Sequence, residues 1–259
     1  MKPMNDQATE IKGNLKIADE VWRLRFPVDW ATYDPGQFVM LSIPGTVTFL
    51  RRPFGIAHLK GGLAEICYKV VGKGTRALSQ APVGTAINVL GPCGRGYALP
   101  VKSETAVLVA GGYGIAPLCG LAHHLRQDKR TVRLYYGGKR KGDLFCLDEL
   151  RQMGVDLRLT TEDGSIGEKG LVTGLLEREL SSIEKPALFA CGPKGLVEAV
   201  AGLGLASNLP TQVSMDTYMA CGLGVCLGCV CQNAEGEYVR VCREGPVFEA
   251  RELDWSALR

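Results

Sequence analysis

Thr105-Ala-Val-Leu-Val-Ala-Gly-Gly-Tyr-Gly-Ile-Ala-Pro117 decides the fold class. Its first six residues form an unbroken apolar run, the pattern of a parallel strand buried on both faces. Gly111, Gly112 and Gly114 then break the run, and a helical pattern continues to about Gln127. From Thr105 to Leu125 there is no Lys, Arg, Asp or Glu, a length that could cross a bilayer. The glycines, Pro117 and His123-His124 favour strand, turn and helix over a membrane span.

Outward from this stretch the alternation repeats. Val132–Tyr136 reads as a second strand, Asp148–Met153 as a helix and Val155–Thr160 as a third strand. Leu171–Leu180 is a helix, and Ala187–Cys191 is a strand ending at Gly192-Pro193. Alternating strands and helices predict a doubly wound parallel sheet over residues 99–210, with ligands at the carboxyl ends of its strands. The glycine turn is not G-x-G-x-x-G, but it still leaves free N–H groups at a helix start. Residues 1–98 read differently. Val21–Phe26, Gln37–Ile43 and Leu63–Val71 are short apolar runs between turn markers such as Asp34-Pro-Gly36 and Gly61-Gly62, so an antiparallel β barrel is expected. One helix is expected at Thr75–Gln80, after Gly72-Lys-Gly74.

Residues 211–259 fit neither pattern and hold a cysteine module. Cys221, Cys226, Cys229 and Cys242 are spaced C-x4-C-x2-C-x12-C. The first three match the run that holds a [2Fe–2S] cluster in plant-type ferredoxins. Gly222, Gly224 and Gly228 suit a loop whose N–H groups must point at sulfur, since glycine reaches φ > 0 without obstruction. A structural zinc site normally has two C-x2-C-type pairs, and only one is present. Cys231 is a fifth cysteine that could replace Cys229; Cys229 preserves the x2 spacing.

The bulk numbers bound the function. The 259 residues are 46% hydrophobic and 22% charged, ordinary for a soluble globular protein of more than one domain. A net charge of +3 gives no case for nucleic acid or an anionic membrane. Ten cysteines and no evident secretory signal point to a reducing cytoplasm. Cys67, Cys93, Cys119 and Cys146 lie in or beside apolar segments and read as buried small hydrophobes. Three scattered histidines make no metal site, and no catalytic triad or carboxylate pair stands out. The chain reads as one whose cofactors do the chemistry, with no catalytic side chain of its own.

Arg51-Arg-Pro-Phe54, Gly72-Lys-Gly-Thr75, Gly111–Pro117 and Cys191-Gly-Pro193, in this order, resemble the ferredoxin–NADP reductase superfamily. With the cysteine module and Cys242-Arg-Glu-Gly-Pro-Val-Phe248 appended, the whole chain resembles the electron-transfer subunits of type B dihydroorotate dehydrogenases. That resemblance implies an FAD-binding domain over 1–98, an NAD-binding domain over 99–210 and a [2Fe–2S] module over 211–259. It implies that Arg52 binds the FAD pyrophosphate, with Pro53 and Phe54 lining the flavin. Gly55 stands where the family often has a serine near flavin N5. Cys67, Tyr68, Lys69 and Val70 match the strand against the flavin, and Gly74 and Thr75 the helix start on the pyrophosphate. Gly111, Gly112 and Gly114 match the pyridine-nucleotide loop; Cys191, with Gly192 and Pro193, lies where the nicotinamide approaches. Cys221, Cys226, Cys229 and Cys242 match the cluster ligands. Some relatives in ferredoxin:NADP reductases and sulfide dehydrogenases carry aspartate at the first ligand; Cys221 favours the dihydroorotate branch.

Hydride transfer moves two electrons together and a [2Fe–2S] cluster moves one, so a flavin is needed between them. The resemblance implies electrons entering at the cluster from an FMN-containing catalytic partner, in a heterotetramer, and leaving as hydride to NAD+. Alternatives are an NAD(P)H:ferredoxin-type reductase or sulfide dehydrogenase subunit, and a non-redox zinc-binding module. Thr161-Glu-Asp163 favours NAD(H) over NADP(H), because carboxylates would repel a 2′-phosphate.

Overall fold

The computed structural model describes residues 4–46 and 48–258. The N-terminal half contains β1 (Asn5–Glu10), β2 (Gly13–Ala18), β3 (Val21–Pro27), β4 (Phe38–Ser42), β5 (Arg52–Lys60), β6 (Leu63–Lys69), α1 (Lys73–Gln80) and β7 (Ala86–Cys93). The strands form one antiparallel sheet in the order β1-β7-β4-β5-β6-β3-β2. It curls into a half-barrel rather than a closed one: β1 and β2 are both edges. The gap is narrowed by side chains, as Gln7 and Thr9 on β1 donate to the Pro27 carbonyl at 3.2 and 3.1 Å. Leu24, Phe26, Val39, Ile56, Ile66 and Ile87 fill the inside. Irregular registers in β4–β7 and β5–β6 supply the extra bend.

The second half contains β8 (Thr105–Gly111), α2 (Ile115–Gln127), β9 (Val132–Gly138), α3 (Leu147–Gln152), β10 (Asp156–Thr161), β11 (Glu168–Lys169), α4 (Val172–Glu179), β12 (Pro186–Cys191), α5 (Lys194–Ala206) and β13 (Thr211–Ser214). Pro117 falls in the first turn of α2, where a missing N–H costs nothing. The five main strands lie in the order β10-β9-β8-β12-β13, all parallel. Order reverses between β8 and β12, and the crevice at such a switch point is where ligands bind. Gly111 and Cys191, the last residues of these two strands, therefore mark the site.

The cysteine segment leaves and rejoins this sheet. After β13 the chain forms the cysteine loop, the hairpin β14 (Val230–Gln232) and β15 (Tyr238–Arg240), and β16 (Val247–Glu249), which pairs antiparallel with β13. Two segments beyond residue 210 thus belong to the nucleotide sheet. One apolar core runs from Val107 and Leu188 through α4 and α5 to Cys229, Val241 and Phe248, and reaches Phe38 and Met40 of the half-barrel.

Candidate functional site

Two cavities and one loop adjoin at the switch point. The first cavity is lined by Arg52, Pro53, Phe54, Gly55, Cys67, Tyr68, Lys69 and Thr75 of the half-barrel. Tyr113, Gly114, Pro117, Cys191 and Gly192 of the parallel-sheet unit close one side, and Met215, Asp216 and Met219 ahead of the cysteines close the other. Among the residues expected here, Val70 and Gly74 do not line the cavity: Val70 packs with the half-barrel core, with Val71 lining the cavity instead, and Gly74 lies against the Arg52 guanidinium.

One end of this cavity is built for an anion. Val71 and Gly72 N–H donate to Thr75 Oγ1 at 2.9 and 3.1 Å, fixing the turn that starts α1. The first turn has no acidic residue, so its free N–H groups and dipole meet no competing charge. A Cβ on Gly74 would lie 2.8 Å from Arg52 Nε, so the glycine lets the guanidinium lie across the helix start. Asn14 holds the far end of α1 through the carbonyls of Leu78 and Ala81 at 2.7 and 3.0 Å, and accepts from Tyr68 Oη at 3.1 Å. Tyr68 and Phe54 pack with ring centroids 5.7 Å apart. At Gly55 a Cβ would meet Pro117 at 3.4 Å, ordinary contact, so space alone does not demand glycine there.

The second cavity lies over β8, β9, β10 and β12. Gly111, Gly112, Gly137, Gly138, Thr160, Glu162, Pro193 and Gly195 line it, with Lys69, Lys139 and Asp143. Its floor tolerates little side chain: a Cβ on Gly111 would meet Pro193 Cδ at 2.7 Å, and one on Gly114 the Cys191 carbonyl at 2.3 Å. Tyr136 ties the rim together, donating to the Gly112 carbonyl at 3.1 Å and accepting from Phe145 N–H at 3.3 Å. The Thr160 hydroxyl is buried without a partner among the described residues and lines this cavity, an orphan that a polar ligand would satisfy. In Thr161-Glu-Asp163 only Glu162 lines the cavity. Asp163 turns away to accept from Ser165 N–H at 2.9 Å, and Thr161 is buried against Ile166. Burial pushes the Cys191 thiol up to about 12, so it stays neutral between the two cavities.

In the cysteine loop, Gly222 and Gly224 have φ of +70° and +79°. Gly228 does not; the third left-handed position is Leu227 at +58°. A Cβ on Gly222 would press to 2.4 Å from Met40 Cγ, so the loop sits directly on the half-barrel. Burial raises the Cys221 thiol, but N–H groups of Leu223, Cys226 and Val225 outweigh it and bring it down to about 6. Leu223 N–H lies 3.3 Å from Cys221 Sγ and Cys242 N–H 3.4 Å from Cys229 Sγ. N–H groups turned on sulfur are what an anionic thiolate cluster requires, so the donor set fits one. Among the described residues the four thiols do not converge on a single point, as one tetrahedral zinc ion would need. Cys231 lies on β14, buried, and burial pushes its thiol up to about 11.

Two family models match the chain. Residues 216–254 match the iron-sulfur cluster binding domain of dihydroorotate dehydrogenase B, and residues 108–202 an oxidoreductase NAD-binding domain. The dihydroorotate dehydrogenase B (NAD+) electron transfer subunit of Caldanaerobacter subterraneus subsp. tengcongensis is 36% identical over 246 residues, covering 94% of this chain and 96% of that protein. The Bacillus pumilus subunit of the same name is 35% identical over 252 residues, covering 94% and 96%. The chain belongs to the family of dihydroorotate dehydrogenase B electron transfer subunits.

Solved structures agree on the architecture of this family member. An NADH-dependent reduced ferredoxin–NADP oxidoreductase is 29% identical with a TM-score of 0.86, covering 96% of this chain and 91% of that one. A Neisseria gonorrhoeae ferredoxin NADP+ reductase with bound FAD and NADP superposes with a TM-score of 0.67 at 16% identity, covering 78% and 91%; that likeness concerns the fold. Sequence reasoning about this family member missed Tyr113, Pro117, Met215, Asp216 and Met219 as lining residues. Tyr113 and Pro117 lay inside a quoted motif; Met219 reads from the sequence as one of the apolar residues of the cysteine loop that face a partner, but it lines the cavity and packs against the core, while Met215 and Asp216 carried no signal.

Proposed function

We propose that this chain passes electrons from an FMN-containing dihydroorotate dehydrogenase catalytic subunit through a [2Fe–2S] cluster and FAD to NAD+. One observation carries the reading. The first cavity is walled by the half-barrel, the nucleotide loop and the cysteine segment together, and it shares Lys69 and Tyr113 with the second. Cluster, flavin and pyridine nucleotide then fall in line.

The flavin supplies the conversion between single electrons and hydride. The side chains do the holding. Arg52 and the start of α1 bind the pyrophosphate, and Phe54, Gly55, Tyr68 and Lys69 border the ring system. Gly111, Gly112 and Pro193 admit the pyridine nucleotide, while Glu162 favours a free ribose hydroxyl over a 2′-phosphate. Cys191, neutral and flanked by Gly192, borders the nicotinamide without competing as a nucleophile. Cys221, Cys226, Cys229 and Cys242 hold the cluster, and Cys231 packs beneath it.

The partner docks over the cluster. Tyr218, Val225, Leu227 and Tyr238 surround the loop and are 96%, 74%, 58% and 72% exposed. Apolar residues gathered around a redox loop call for a covering surface. The assembly is a heterotetramer in the cytoplasm; among the described residues no helix is long and apolar enough to cross a membrane. Anaerobic purification with iron, sulfide, flavin and partner analysis tests the reading. Two irons, two sulfides and one FAD per chain, with an FMN subunit co-purifying, are expected; a colourless zinc-loaded chain would refute it. The 29% identity to the ferredoxin–NADP oxidoreductase supports a second reading, a ferredoxin-type reductase subunit. Orotate-dependent NADH oxidation by the purified complex separates the two.

A further inference from the structure

Three of the cysteines that read as buried small hydrophobes gather beside the first cavity, which Cys67 also lines. Cys67 comes from β6 of the half-barrel, Cys119 from α2, and Cys146 from the residue that begins α3. All three belong to the apolar cluster between the half-barrel and the parallel-sheet unit. Cys67 and Cys119 are buried; Cys146 is half-buried. All are free thiols. Cys146 has φ of +61°, a left-handed position unusual for a residue with a side chain.

A cation completes the group. Arg23 Nη2 on β3 lies 3.4 Å from Cys146 Sγ. The same guanidinium is fixed by Glu149 at 2.5 Å and Glu65 at 3.2 Å, so it is oriented rather than mobile. These three charged groups are what face the sulfur. Hydrogen bonds from the Cys119 and Cys67 thiols, and then Arg23, hold the Cys146 sulfur well below the ordinary thiol range against its burial. Cys119 and Cys67, as donors to that sulfur, are shifted the opposite way. The Cys146 sulfur thus faces a guanidinium, with the Cys67 and Cys119 thiols in the same cluster. Cys119 and Cys146 line neither cavity, and a core needing only small apolar groups has no use for an arginine at 3.4 Å from sulfur.

We propose that Cys146 is a hydroperoxide-reactive thiol that closes a disulfide with Cys67 or Cys119. The Cys146 thiolate attacks one peroxide oxygen; the O–O bond breaks, sulfur is oxidised to sulfenic acid and hydroxide leaves. The facing thiol then attacks that sulfur. An S–S bond forms, the S–O bond breaks, and the thiol proton leaves with the oxygen as water. Two thiols and one hydrogen peroxide give one disulfide and two waters. Closure onto Cys67 ties the strand that lines the first cavity to the parallel-sheet unit.

The reduced holoprotein, titrated with hydrogen peroxide, alkylated and digested without reductant, tests this by mass spectrometry. A peptide joining Cys146 to Cys67 or Cys119 is expected before Cys93, a thiol that burial pushes up to about 12, is oxidised. The visible spectrum of the cluster, followed in parallel, separates this event from cluster decay. Cys146→Ser should abolish the linked peptide. Arg23→Gln should slow its formation about tenfold by raising the thiol toward its ordinary range. Because Arg23 also holds two carboxylates, the Cys67→Ser/Cys119→Ser variant gives an independent readout: oxidation should stop at a sulfenic acid on Cys146 that a cyclic 1,3-diketone traps. No adduct there, or a linked peptide appearing only after Cys93 is oxidised, overturns the proposal.

Discussion

The chain holds sulfur anions in two ways. In the cysteine loop the donors are backbone N–H groups, set by left-handed turns at Gly222, Gly224 and Leu227. Between the half-barrel and the parallel sheet the donors to Cys146 are side chains, the Cys119 and Cys67 thiols and Arg23, the last beside two carboxylates. The first arrangement survives most side-chain changes but fails if the turn fails. The second hangs on a few side chains brought together from separate elements. The same contrast runs through the cavities, where α1 and the glycine crevice offer backbone while Arg52 and Glu162 add side-chain charge.

The largest effect is expected where backbone and ligand coincide. Cys226→Ser or Cys242→Ser should leave the chain without its cluster iron, whereas Cys231→Ser should keep it. Gly224→Ala, which adds a side chain at φ of +79° and sets a Cβ 2.9 Å from Arg243, should lose most of the iron too. Iron analysis after anaerobic purification decides, and full iron in Gly224→Ala would break the claim that the turn does the holding.

Next comes Arg52→Ala. Charge-assisted hydrogen bonds contribute about 1.5–3 kcal/mol, so FAD should bind about 10- to 100-fold more weakly. Flavin retention on dilution measures it. Val225→Glu and Leu227→Glu should reduce co-purification of the FMN subunit several-fold while NADH oxidation with artificial acceptors persists. Glu162→Gln should narrow the preference for NADH over NADPH about tenfold in kcat/KM, since a carboxylate near a 2′-phosphate repels it. An unchanged ratio would show that the crevice backbone alone sets the choice. The smallest effect concerns Arg240 and Glu244, paired at 2.5 Å beside the loop carbonyl of Gly224. Hydrogen bonding to Arg240 holds the Glu244 carboxyl below its ordinary range. Its stabilisation is therefore complete above an unfolded glutamate pKa of about 4.3 and is lost as the pH falls through the lower folded value. Glu244→Gln should flatten that acid limb in thermal melts and change little at neutral pH.

The parallel sheet was legible because burial on both faces leaves a continuous apolar run, as Thr105–Ala110 shows. The cysteine segment was legible because a cluster constrains neighbours in sequence, and residues 216–254 match a cluster-binding domain. Elements made by distant pairing were not. β1 reads Asn-Asp-Gln-Ala-Thr-Glu, a polar edge strand that β7 holds through backbone bonds. α5 carries Gly195, Gly202 and Gly204, poor helix formers; Gly204 is needed because a Cβ there would lie 2.0 Å from Thr211 Oγ1 on β13. Residues 67, 119 and 146 come from three elements, and no periodicity announces their meeting. The orphan hydroxyl of Thr160 is likewise a product of packing.

β13 and β16 are neighbours, with Ser214 opposite Val247, and Met215 N–H donates to the Pro246 carbonyl at 2.8 Å. The whole cysteine segment is thus an excursion clamped at its root. Electron carriers that swing on a hinge slow down in thick solvents, because each crossing must push fluid aside. Here there is no arm to swing. The internal step between cluster and flavin should proceed at the same rate in buffer and in concentrated glycerol, its pace set by separation and driving force alone.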